Sequence, residues 1–133
     1  FKQLGNSFAK GKNKEAQNLA EVVYSYAAKN PEKPIHLIGH SGGSALAREV
    51  QYILNRKKLN VKLVTMAAPD FSLLPRNLKM ERNFVSNKDF VKPIAPKGSI
   101  FFDVASGEDV HRQPGYFKSS VVNKGVIDFL FSN

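Results

Sequence analysis

Residues 39–43 read Gly39-His40-Ser41-Gly42-Gly43, a Gly-x-Ser-x-Gly pattern whose central serine can serve as a nucleophile. The residues before it, Ile35-His36-Leu37-Ile38, form a short apolar run, and small residues follow before a helical pattern begins. A strand that turns directly into a helix holds its central residue in a strained conformation and pushes that side chain out at the end of a sheet. Glycines on both sides let the backbones pass closely enough for that turn. A serine hydroxyl needs a base to take its proton, and the base needs an acid to orient it. The chain offers three histidines. His36 lies within the apolar strand and reads as a hydrogen-bonded core residue. His40 adjoins the serine; neighbouring side chains on a sharp turn point apart, so it reads as packing beneath the turn. His111 remains, in the polar loop Gly107 to Tyr116. The acid is expected at the C-terminal end of a strand, where ligands collect in open parallel sheets. Asp89, in Val85-Ser86-Asn87-Lys88-Asp89-Phe90-Val91, fits that place, and Asp70 is the alternative. Asp109 is too close to His111 in sequence to orient its ring from behind, and Asp103 falls inside a strand.

The elements that must position these residues follow from periodicity. Lys14 to Ala28 repeats apolar residues at three- and four-residue spacing (Ala16, Leu19, Val22, Val23, Tyr26, Ala27), which predicts a helix. Asn30-Pro31 ends it. Ile35–Ile38 reads as a strand, and Gly42 to Lys58 as a second helix with Leu46, Val50, Ile53 and Leu54 inward. Val61–Met66, Asn83–Ser86 and Ile100–Val104 read as further strands, residues 69–78 and 106–116 as loops, and Val121–Phe131 as a closing helix. Strands separated by crossovers imply a mainly parallel sheet of about four strands between helix layers, an α/β architecture.

Bulk properties bound the reading. A chain of 133 residues with 42% hydrophobic and 23% charged residues makes a single domain, spanning 1–133, with a real core. The absence of cysteine excludes disulfides and a cysteine metal site. No apolar run is long enough to span a membrane. The net charge of +9 favours anionic partners. Its two clusters, however, are Lys10, Lys12 and Lys14 in a loop-like stretch and Arg56-Lys57-Lys58 at a helix C-terminus, where cations oppose the dipole. Neither is interleaved with aromatic residues, so nucleic acid is not an expected partner.

Four stretches together resemble the C-terminal part of an α/β-hydrolase of the lipase/esterase type. They are Ile35 to Gly43, with histidine before the serine; Thr65-Met66-Ala67-Ala68-Pro69 at the end of the next strand; Asn87-Lys88-Asp89-Phe90-Val91; and His111 to Phe117, leading into the last helix. Their order, serine then acid then histidine, is the order this fold uses. The resemblance implies a serine-dependent carboxylic-ester hydrolase with Ser41 as nucleophile, His111 as base, Asp89 as acid and the N–H of Gly42 in the oxyanion hole. It implies no metal or cofactor and a small ester or lipid as substrate. Phe71, Leu73 and Leu74 follow a strand end; core packing is the favoured reading for them, and walls of an apolar pocket the alternative. The family normally carries several strands before the elbow strand, and this chain has no room for them. The domain therefore reads as incomplete, and a further polypeptide is expected to pair with the elbow strand and bring the second oxyanion donor. The rival expectation is an inactive or impaired hydrolase-like interaction domain completed by another polypeptide.

Overall fold

The computed structural model describes residues 13–70, 74–105 and 107–132. Helix α1 (Lys14–Lys29) starts where the Asn13 side chain accepts the N–H groups of Glu15 at 2.9 Å and Ala16 at 3.4 Å, a cap that satisfies donors the helix cannot. Strand β1 (His36–His40) leads through Ser41 into α2 (Gly42–Arg56). Strands β2 (Lys62–Met66), β3 (Glu81–Ser86) and β4 (Ile100–Phe102) follow, then the short α3 (Gln113–Phe117) and α4 (Ser120–Leu130). Single turns of 3₁₀ helix lie at Leu78–Met80 and Lys92–Ile94.

The four strands form one all-parallel sheet in the order β1-β2-β3-β4, with His36 opposite Lys62, Thr65 opposite Asn83 and Phe84 opposite Ile100. The α/β class and the parallel sheet expected from the crossover pattern are thus present. Helices cover both faces. On one, Ala16 and Ala20 of α1 pack with Val50 and Leu54 of α2, Val61 and Leu37. On the other, Val64, Met66, Phe84 and Phe102 pack with Val122 and Phe129 of α4. The Lys62 ammonium fastens the end of α4 to the sheet by donating to the carbonyls of Phe129 and Ser132, each at 2.7 Å.

A buried polar network pins α2 to the sheet. The Arg48 guanidinium donates to a Glu81 carboxylate oxygen and to the Asn83 side-chain oxygen, which also accepts the Thr65 hydroxyl. Arg76 donates to the other Glu81 oxygen at 2.7 Å. These ions explain why β3 begins at Glu81 rather than at Asn83: a charged residue enters the sheet because two guanidinium groups neutralise it.

Other boundaries differ for readable reasons. The segment read as loop contains α3, because Pro114 lies in its first turn, where a missing N–H costs nothing. On α1 only one side of the apolar stripe packs: Ala16 and Ala20 are buried, whereas Leu19, Val22 and Tyr26 are exposed. The stripe is wider than the contact α2 offers. Among the described residues strand β1 is an edge of the sheet, as expected, and its Ile38 is 52% exposed. Residues 1–12, read as loop, lie outside the described residues, as do Phe71 and Leu73; Leu74 is buried.

Candidate active site

Ser41 stands between β1 and α2 at φ 52° and ψ −123°, a positive φ that L side chains rarely adopt. Its N–H donates to the Met66 carbonyl at 2.7 Å, and its carbonyl accepts the Ser44 N–H at 2.9 Å, so strand pairing and helix initiation meet on one residue. A Cβ on Gly39 would lie 2.7 Å from the Gly43 oxygen and from the Ser44 Cα. A Cβ on Gly42 or Gly43 would meet nothing within 4 Å. The expectation that glycine is needed on both sides is therefore correct only on the strand side. The helix start turns outward, and it is its backbone that Gly39 admits.

The Ser41 hydroxyl does not cap its own helix. It lies 3.0 Å from His111 Nε2, although 70 residues separate the two in sequence. His111 Nδ1 lies 2.9 Å and 3.0 Å from the two Asp89 carboxylate oxygens. A carboxylate only accepts, so Nδ1 carries the proton in the neutral ring and Nε2 is left as an acceptor for the serine O–H. The Asp89 side chain is 0% exposed and that of His111 21%. Burial of a carboxylate requires compensating donors. Besides His111, Asp89 accepts the Val91 N–H at 3.0 Å and the Tyr116 hydroxyl at 2.6 Å.

The histidine loop is held from three directions. Asp109 Oδ1 accepts the N–H groups of His111 and Arg112, each at 2.8 Å. The bond from Arg112, then that from His111, keeps the Asp109 carboxyl below its usual range. His40 Nε2 donates to the His111 carbonyl at 2.6 Å. Burial lowers the pKa of His40, outweighing the opposing pull of that carbonyl, so the ring favours its neutral form. Gly115 lies so close to the Asp109 carbonyl that a Cβ would fall 1.8 Å from its oxygen, which lets α3 fold back beneath the loop. The Phe90 ring, 71% exposed, covers the imidazole at a centroid distance of 4.4 Å.

The remaining candidates fall elsewhere. Asp70 faces Arg76 at 3.4 Å, and its N–H donates to the Ile94 carbonyl; its carboxylate makes no bond to His111. Asp103 accepts from the Asn87 side chain at an exposed position. His36 is half-buried rather than part of the core, because β1 is an edge strand, and its ring meets Phe131 edge-on at 5.9 Å. Gly42 opens α2, where the first N–H groups have no partner within the helix and the positive end of the dipole lies. A cleft of about 530 Å³ lined in part by Tyr24, Ile35 and Leu59 lies at the opposite ends of the strands from Ser41. Among the described residues, no group of three or more His, Asp or Glu is arranged to hold a metal ion, and no helix is long and apolar enough to cross a membrane.

Sequence reasoning missed Tyr116, Phe90 and the bond made by His40. Phe90 follows the candidate acid, which is a usable signal. Tyr116 and Asp89 are 27 residues apart, and nothing local connects them.

No curated protein matches the chain. A family model described as alpha/beta hydrolase of unknown function (DUF900) matches residues 5–97, a stretch that includes Ser41 and Asp89 and ends before His111. With the strand–turn–helix at Ser41 and the all-parallel sheet behind it, this match over most of the chain makes the protein a member of that alpha/beta hydrolase family.

Proposed function

We propose that the protein is a serine hydrolase acting on carboxylic esters. The observation that carries this reading is the unbroken run of hydrogen bonds from Ser41 Oγ through His111 to Asp89, each within 3.0 Å. In the proposed reaction Ser41 Oγ attacks the ester carbonyl carbon while its proton passes to His111 Nε2. Asp89 holds the Nδ1–H and stabilises the imidazolium that forms. The oxyanion accepts the Gly42 N–H, aided by the start of α2. Collapse breaks the C–O bond, His111 protonates the departing alcohol, and an acyl-enzyme remains. Water then repeats the sequence, with His111 as base, and releases the acid and free Ser41. The exposed Phe90 ring beside the imidazole supports an ester with an apolar part, a small ester or a lipid.

A fluorophosphonate probe tests the assignment. The expected outcome is one adduct by intact mass, lost in Ser41→Ala. Ester turnover should fall by about 10⁴-fold or more in Ser41→Ala and His111→Ala, and far less in His36→Ala. Labelling that persists without Ser41 would remove the serine from this role.

The second reading, an impaired hydrolase-like domain that acts through a partner, is favoured by the β1 edge, which no strand among the described residues pairs, and by its exposed Ile38. On that reading an added polypeptide pairs with β1 and brings a second oxyanion donor. A labelled, esterolytic chain argues against it; an unreactive Ser41 that gains reactivity when a strand is added supports it.

A further inference from the structure

We propose that Tyr116 is a positioning residue for the Asp89–His111 pair: its hydroxyl fixes the carboxylate so that one side remains for the imidazole. The inference rests on the hydrolase reading for its purpose, though not for its geometry. Tyr116 is 0% exposed. Its hydroxyl oxygen accepts the Ser86 N–H at 2.8 Å, and its proton goes to Asp89 Oδ2 at 2.6 Å. Ser86 ends β3, and its carbonyl accepts the Asp89 N–H at 3.0 Å. One phenol thus closes the turn that carries the acid at both of its ends. The ring is wedged edge-on against Phe102 at 5.0 Å and His40 at 5.7 Å, which keeps the hydroxyl in place.

The choice of donor matters. Among the described residues no lysine or arginine forms an ion pair with Asp89. Its charge is balanced by a neutral phenol, the Val91 N–H and an imidazole that can accept a proton. Burial and the adjoining carboxylate raise the pKa of Tyr116, so the phenol remains a donor across any working pH. By sharing the charge on Oδ2 it moderates the pull of Asp89 on His111. The other groups facing this pair are His40 and Ser41 at the end of β1, the Phe90 ring, and Asp109 and Arg112 on the histidine's own loop.

Tyr116→Phe keeps the ring and removes the shared donor. Nuclear magnetic resonance titration of the His111 ring, in the wild type and in a His40→Gln background that removes the neighbouring histidine, reads the consequence directly. The midpoint should move to higher pH by about half a unit, because a carboxylate with one donor fewer stabilises the imidazolium more. Ester kcat should fall about tenfold, the size expected from loss of one hydrogen bond to a charged group, with KM nearly unchanged. A lower melting temperature with an unmoved His111 midpoint and unchanged kcat would overturn the proposal and leave Tyr116 as packing. A second measurement needs no variant: the Tyr116 hydroxyl proton in the wild type should give a slowly exchanging resonance with a through-space cross-peak to the Ser86 N–H, and its absence would also count against the assignment. If the midpoint moves while wild-type Ser41 resists the fluorophosphonate, the hydrolase reading fails and the positioning role stands.

Discussion

Glu81 and Asp89 are two buried carboxylates at opposite ends of the same strand region, and their surroundings differ in kind. Glu81 opens β3 and lies between the guanidinium groups of Arg48 and Arg76. Asp89 follows β3 and meets an imidazole, a phenol and a backbone N–H. A guanidinium stays charged at every working pH, so the Glu81 network is closed and can only hold α2 against the sheet. The imidazole at Asp89 can both take up and release a proton, and its second nitrogen is directed at a hydroxyl. What surrounds a buried carboxylate therefore distinguishes a structural pin from a group able to support proton transfer.

The sharpest test of that contrast exchanges each acid for its amide. In Asp89→Asn the amide donates to His111 Nδ1, moves the ring proton to Nε2 and removes the acceptor for Ser41. Ester turnover should fall about 10⁴-fold, with a much smaller change in melting temperature. Glu81→Gln should do the reverse. It leaves Arg48 and Arg76 facing a neutral group in a buried site, at a cost of about 3–5 kcal/mol in unfolding free energy measured with urea, while the fluorophosphonate labelling rate of the folded protein is retained. If the Glu81 variant lost reactivity at unchanged stability, the division between pin and reactive site would break down.

Asp70→Asn sharpens the comparison from the other side. This carboxylate is partly exposed and holds one long ion pair to Arg76. Such a pair contributes at most about 1 kcal/mol, and turnover should stay within about twofold of wild type. A loss comparable to that of the Asp89 variant would transfer the acid role to Asp70.

The smallest expected effect is on pH dependence. His40 has a lowered pKa in the fold, from burial above all. The unfolded chain then takes up a proton that the folded one refuses. Stability from this group is complete above its ordinary value of 6.5 and declines as pH falls below it, levelling off once the folded ring also protonates. His36, lowered by burial and by Lys62, acts with the same sign. Thermal unfolding of His40→Gln between pH 7 and pH 5 should show a shallower decline than the wild type, and an equal decline would mean that His40 does not contribute.

Much of the fold was legible because its signals are local. The periodicity of α2, the apolar β2 and the glycine before Ser41 each state their conformation within a few residues. The misreadings have the same origin. Nothing near Glu81 announces that two arginines will admit it to a strand. Nothing in the polar stretch read as a loop announces that Pro114 will lie in the first turn of a helix. The apolar stripe of α1 does not reveal that only one of its sides meets α2.

By itself the sequence determined the alternation of strands and helices, the place of Ser41 at a strand-to-helix turn, and a short list of acids and bases near strand ends. Only the tertiary structure decided which of them meet. It placed Asp89 rather than Asp70 behind His111, set Tyr116 and Phe90 around that pair, and moved His36 out of the core onto an edge strand. The physical reason is that backbone conformation is set mainly by neighbours along the chain, whereas a hydrogen bond between residues 22 or 70 positions apart depends on how sheet and helices pack.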